Sequence, residues 1–313
     1  MTGTKGAAPY LSGLAFAAIF GFSFLITKNS LGSMEVFQLL GIRFGIAAIT
    51  FELMRLTGIV KFRFSFKMLK EVLPIAVFQP ILYFVFEIYG VRYSQTGEAG
   101  LMIGMIPVAV AAASWIFLGE RLNGRQLLFM MLSISGVIVI GVNQMNGGAG
   151  ATRPIGYLLL AGAVLASAFY NILSRKSSLQ YKPIEITYVM MMTGAVIFNI
   201  LGLADSIIKG YAYLAPLKEF PIILSMLYLG ILSSTIAFFC VNFTLSRIPA
   251  VQGSLFANLV TVISVVAGIV FLGEFFTPAK TVGSILIIAG VAGTNYFQSR
   301  GSRKADDYAS NDY

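Results

Sequence analysis

The sequence predicts an all-α membrane protein: ten transmembrane helices arranged as two inverted five-helix repeats. Three observations predict it: a composition that suits lipid as solvent, ten apolar runs of spanning length, and an internal repeat offset by 154 residues. Of 313 residues, 57% are hydrophobic and 11% charged, with a mean hydropathy of +0.83. Soluble domains carry about 25% charged residues. A globule in water cannot hide this much apolar surface, because much of its exterior must face solvent.

A bilayer core takes roughly 20 apolar residues per helix. Runs of that length, broken at charge clusters, Gly-Asn stretches and prolines, fall at about 10–29, 34–54, 70–91, 96–118, 126–144, 154–174, 184–205, 220–243, 249–272 and 278–298. Pro154, Pro183, Pro249 and Pro278 stand near the proposed helix starts, where a missing N–H costs little. Lys5 precedes an apolar run too long for a signal peptide, so the first run reads as a retained helix. Lys and Arg in short loops set the orientation. With the N-terminus in the cytoplasm, fifteen lie inside, six outside, and Arg43 within a span. The expected localisation is a bacterial-type inner (cell) membrane, multi-pass, with both termini cytoplasmic.

Several function classes drop out. A single cysteine, Cys240, excludes an intrachain disulfide framework. The absence of His removes the usual zinc ligand sets and imidazole proton relays, so no metal and no cofactor is expected. No Gly-x-x-x-x-Gly-Lys-Ser/Thr phosphate loop is present, which argues against an ATP motor. An enzyme would need converging nucleophile, base or metal ligands, and the apolar core offers two carboxylates. Nothing reads as a channel filter or a ring of charge. The net charge of +9 fits a Lys- and Arg-rich cytoplasmic face rather than a nucleic-acid module. The expected partners are a small-molecule substrate, membrane lipid, and protons where the core carboxylates couple transport; no nucleic acid and no obligate protein partner is inferred.

The halves resemble each other. Phe117-Leu118-Gly119-Glu120 closes the fourth span and Phe271-Leu272-Gly273-Glu274 the ninth. At the same offset Phe84 meets Phe238, Leu101 meets Leu255, Gly136-Val137 meets Gly290-Val291, and Gln144 meets Gln298. A slightly smaller offset pairs Lys28 with Arg175. The expected organisation is a first repeat over 1–144, a linker over 145–153, a second repeat over 154–298 and a disordered cytoplasmic tail over 299–313. Five spans is an odd number, so the second repeat must enter the membrane inverted. Inverted repeats place a substrate site near the midplane between the halves and favour alternating access. The alternative is a non-transporting scaffold or sensor built on the same fold.

These features resemble the EamA family of the drug/metabolite transporter superfamily over essentially residues 10–298. The resemblance rests on Phe20-Gly21-Phe22-Ser23 with Lys28 in the first span and Arg43-Phe44 in the second. Pro107 before Leu118-Gly119-Glu120-Arg121 and the second Leu-Gly-Glu at 272–274 complete it. It implies a ten-helix carrier of metabolites such as amino acids, often exporting them. Two departures stand out: Phe20 replaces the Trp common before the first-span Gly, and Thr261 occupies the position matching Pro107, which makes the halves unequal.

Glu87 and Glu98 are the acidic residues placed inside the core. An ionisable group there costs at least about 2.5–3.5 kcal/mol on insertion scales, so each is a functional candidate. Sharing a cavity, they would suit proton coupling or amine binding; otherwise they reach the outer interface and cap helices. Arg43 lies about nine residues into its span, ~13 Å deep. Its fork geometry suits a substrate carboxylate, and a structural ion pair, with Glu98 or Glu87 as partner, is the alternative. Gln79 and Tyr83 share a helix face at i, i+4. With Phe20, Tyr170, Asn171, Ser233 and Asn258 they fit a polar, aromatic-lined pocket, although each alone also fits interhelical packing. Pro80 and Pro107 are candidate hinges, since each removes a mid-helix hydrogen bond. Gly41-x-x-x-Gly45 and Gly100-x-x-x-Gly104 read as packing motifs.

Overall fold

Lipid cannot satisfy backbone N–H and C=O groups, so an apolar chain crossing a bilayer folds into helices or a closed barrel. The computed structural model describes residues 7–62, 65–118, 123–145, 154–248, 256–274 and 277–311, with backbone alone at 114, 118, 141, 143–145, 258, 295 and 298–311. Among these residues the chain is all-helical, without strands. The helices are α1 (Ala8–Ser30), α2 (Val36–Leu56), α3 (Phe66–Arg92), α4 (Thr96–Phe117) and α5 (Gly124–Met145). After residues 145–153 follow α6 (Pro154–Ser177), α7 (Pro183–Lys209), α8 (Phe220–Arg247), α9 (Phe256–Leu272) and α10 (Pro278–Asn311).

Seven of these, α1–α4 and α6–α8, are long and apolar enough to cross a membrane. The other three carry shorter apolar stretches, Gly124–Ile140, Leu259–Leu272 and Pro278–Thr294. Residues 249–255, given by sequence to the ninth span, and most of the linker lie outside the described residues. The backbone of α10 continues through 299–311, where sequence composition predicts a disordered tail. That stretch lacks Pro and follows an already nucleated helix, so each added residue propagates rather than starts a helix.

The helices pair across the two halves. The α5–α10, α2–α7, α1–α9 and α3–α6 pairs make the main long-range contacts, joined by α1 with α8, α4 with α6 and α4 with α9. Exchanging the halves maps this list onto itself: α1 sits against α8 and α9, and α6 sits against α3 and α4.

The α5–α10 crossing shows the correspondence atom by atom. A Cβ on Gly136 would come within 2.6 Å of the Gly283 carbonyl and 2.9 Å of Ile287, and one on Gly290 within 2.6 Å of the Phe129 carbonyl and against Ser133. Adding 154 turns Gly136 into Gly290, and subtracting 154 turns Gly283 and Ile287 into Phe129 and Ser133. Both glycines permit backbone-to-backbone approach that no larger residue fits. Gly290→Leu is expected to force α5 and α10 apart and to destabilise the fold by about 1–3 kcal/mol, as overpacking does. Thermal unfolding in detergent reads this; an unchanged midpoint would mean that the crossing is looser than these distances.

Two helices are interrupted at equivalent positions of the repeat. In α3 the segment Val77–Leu82 departs from α-geometry, with Gln79 at φ −148°, ψ 113° and a cis Gln79–Pro80 bond. In α8 the segment Tyr228–Ala237 winds as a wide, π-type helix. Pro80 therefore breaks its helix as sequence predicts. The α4 break falls at Gly104-Met105, just before Pro107, where Met105 and Val108 take three-residue-spaced hydrogen bonds. The Gly100 and Gly104 motif packs as expected: Thr261 on α9 donates through Oγ1 to the Gly100 carbonyl (2.9 Å) and stands beside Gly104.

Candidate functional site

The bundle has two ends, each tied by a basic side chain that closes the first helix of a half. At one end Lys28 of α1 donates to the carbonyls of Val91 (2.8 Å) and Ser94 (2.6 Å) at the close of α3. At the other, Arg175 of α6 donates to the carbonyls of Leu245 (2.6 Å) and Ile248 (3.1 Å) at the close of α8. Cations here complement the negative ends of the helix dipoles and take up carbonyls with no intrahelical partner. This is the Lys28–Arg175 equivalence predicted from the repeat.

The Lys28 end is closed by polar contacts between the halves. Lys280 Nζ pairs with Glu98 Oε1 at 2.8 Å, with both side chains at most 4% exposed. Tyr157 OH donates to the other Glu98 oxygen (2.7 Å), and Lys280 also reaches Gln95 Oε1 (2.7 Å). Glu274, in the second Leu-Gly-Glu, accepts from the backbone N–H groups of Thr96 (2.6 Å) and Gly97 (2.9 Å) at the start of α4. Gly273 takes φ 63°, the left-handed turn expected after a helix. The matching residues Gly119 and Glu120 lie outside the described residues. Beside this network Glu35 bridges Arg92 (3.1 Å) and Lys209 (3.0 Å), whose hydrogen bonds hold its carboxyl below the usual carboxylate range.

Between the ends lies a cavity walled by residues of both halves. Its lining reaches from Glu87, one turn short of the end of α3, to Thr244 and Leu245 beside Arg175. Phe16 and Phe20 of α1, Tyr83 and Phe84 of α3 and Phe238 of α8 form its aromatic wall. Phe20 meets Phe238 at 5.2 Å and Phe84 meets Phe238 at 5.8 Å between ring centroids, in tilted or edge-on geometry. Phe84 and Phe238 are repeat equivalents in direct contact.

Of the residues predicted from sequence, Phe20, Gln79, Tyr83, Glu87, Tyr170, Asn171 and Arg43 line this cavity together. Glu98 does not. It shares no cavity with Glu87, because Lys280, in the first turn of α10, takes its charge. Arg43 pairs with neither carboxylate: Nε donates to Ser234 Oγ (2.8 Å), Nη2 to Ser233 Oγ (2.9 Å), and the guanidinium lies 4.3 Å from the Phe84 ring centroid. Ser233 is thus consumed by Arg43, which pins the irregular segment of α8 to α2. The Asn258 side chain lies outside the described residues.

Tyr170 presents its ring to the cavity while its hydroxyl donates to Asn242 Oδ1 (2.9 Å). Asn242 also accepts from Ser174 (2.8 Å) and donates to Thr187 (2.9 Å), so it joins α6, α7 and α8. Asn242, Phe16 and Ser167 are not among the residues predicted from sequence, since a lone polar or aromatic residue in a span carries no signal of its own. Phe84 and Phe238 carried a signal through their repeat equivalence.

The EamA-like transporter family profile matches this chain twice, over residues 8–142 and 154–296. The chain belongs to the EamA-like transporter family. As such it is a multi-pass membrane transporter and not an enzyme. An uncharacterized transporter of Bacillus subtilis (strain 168), YcxC, is 35% identical over 288 residues, covering 91% of this chain and 92% of its own. A protein of Streptantibioticus cattleyicolor named a probable terminal-alkyne amino-acid exporter is 30% identical over 203 residues, 65% of each chain. A probable amino-acid metabolite efflux pump of Salmonella typhimurium is 26% identical over 283 residues, 89% of this chain and 91% of its own. A solved crystal structure superposes with a TM-score of 0.65 at 20% identity, over 94% of this chain and 98% of its own; at that identity the likeness concerns fold alone.

Proposed function

We propose that this EamA-like transporter is a secondary carrier that exports amino acids or related small metabolites by alternating access. In this reading residues 1–144 and 154–298 are two inverted five-helix repeats, crossing the inner membrane ten times with both termini cytoplasmic. The observation that carries it is the cavity between the halves, lined from both and blocked at the Lys28 end by the buried Glu98–Lys280 network. With that end facing outward, as the distribution of Lys and Arg directs, the cavity faces the cytoplasm. The irregular segments of α3 and α8 flank it, as discontinuous helices flank the sites of other inverted-repeat carriers. The relatives named as exporters of amino acids or their metabolites support that substrate class.

The test is flux. Vesicles containing the purified protein are loaded with a whole-cell metabolite extract and profiled by mass spectrometry against empty vesicles. Selective loss of a few amino-group metabolites, slowed at least about tenfold by Glu87→Gln, is expected, because the transition over a site that lost its charge costs more. Absence of selective loss under every imposed pH gradient would transfer the fold to a scaffold or sensor role.

A further inference from the structure

We infer that the cavity recognises its substrate by a primary ammonium group at Glu87, with an apolar or aromatic body against the phenylalanines, and needs no carboxylate on it. This rests on the carrier reading and names its substrate class: amino acids enter through their ammonium, and decarboxylated amines are at least equal ligands.

Glu87 lines the cavity, is 5% exposed, and its Oε2 has no hydrogen-bond partner in the protein. Buried polar atoms are nearly always paired, so an orphan at the wall of a cavity marks where a ligand belongs. An ionised carboxylate only accepts hydrogen bonds, and its complement is a donor, best a cationic one. Gln79, on the same helix at the broken turn, adds a second unpaired acceptor, Oε1, on the same cavity wall. Unpaired acceptors on two residues of the cavity wall are complementary to N–H donors, best a cationic one, and not to an anion.

Arg43, the cation on the cavity wall, already has protein partners. Arg43 spends Nε and Nη2 on Ser234 and Ser233, and its face on Phe84. A substrate carboxylate would find only the remaining N–H donors of Arg43 there and would bring a second negative charge toward Glu87. The rest of the wall is aromatic: Phe16, Phe20, Phe238 and the Tyr83 ring suit a flat apolar body and attract cations through their faces.

The experiment measures binding to the purified full-length protein by calorimetry at pH 7, using three probes of one shape: phenethylamine, phenylalanine and 3-phenylpropionate. The expected order places phenethylamine level with or above phenylalanine, and both at least about tenfold above 3-phenylpropionate, the scale of one charge-assisted hydrogen bond. Glu87→Gln is expected to lower phenethylamine affinity at least about tenfold at an unchanged unfolding midpoint. If that variant does not fold, the wild-type ranking decides by itself, with Gln79→Leu as the second variant. Equal or stronger binding of 3-phenylpropionate, no binding of either amine, or undiminished amine binding by folded Glu87→Gln overturns the inference. Amine binding without vesicle flux leaves it standing and removes the carrier reading; flux confined to compounds without an ammonium does the reverse.

Discussion

Lys280→Ala is expected to destabilise the protein by about 3–5 kcal/mol, the range for removing one partner of a buried ion pair. Lys280 and Glu98 are 2.8 Å apart, with side chains 4% and 3% exposed, so neither charge can be rescued by water once its partner is gone. Glu98→Ala should cost a similar amount, because it removes the carboxylate that Lys280 and the Tyr157 hydroxyl share. The double variant Glu98→Gln with Lys280→Met should recover much of the loss, because replacing both charges removes the desolvation penalty as well as the attraction. Thermal unfolding of the two singles and the double in detergent measures the coupling. Additive losses would mean that the two side chains are stabilised separately. In flux, the singles should also weaken closure at the Lys28 end, because this pair holds α4 of one half to α10 of the other.

The second large effect is expected at Arg43. Arg43→Ala leaves two buried serines without their donor and removes the cation in electrostatic reach of Glu87, at a cost again of about 3–5 kcal/mol. Arg43→Lys should rescue little. The guanidinium binds two serines and lies over Phe84 because it is planar and forked, whereas an ammonium is a compact point charge. Ser233→Ala with Ser234→Ala separates the roles: if Arg43 serves to anchor the irregular segment of α8, this pair should reproduce most of the Arg43→Ala loss in the unfolding midpoint. A small loss from the serines beside a large loss from Arg43 would place its weight on Phe84 and on the charge balance with Glu87.

Several parts of the site were legible in the chain. Gln79 and Tyr83 belong to one helix face by spacing, and Phe84 and Phe238 are linked by the repeat. The pairing of Lys28 with Arg175 foresaw that each half ends a helix with a cation. Intramembrane cost singled out Glu87, Glu98 and Arg43. These inferences rest on local quantities: helical period, hydropathy over a window, and the internal offset.

What the chain does not carry is which buried charge meets which partner. From sequence Glu87 and Glu98 look alike, two carboxylates flanking one hairpin. Only the packing of α10 against α4 brings Lys280 to Glu98, across more than 180 positions, and leaves Glu87 facing the cavity. Nor does the chain show that α8 delivers two serines to Arg43. Sequence by itself determined the helices and the duplication, because lipid obliges each span to satisfy its own backbone and a shared offset persists in the residues. Tertiary structure decided the site, because a buried polar atom is defined by the neighbours that do or do not reach it, and those arrive from helices far along the chain.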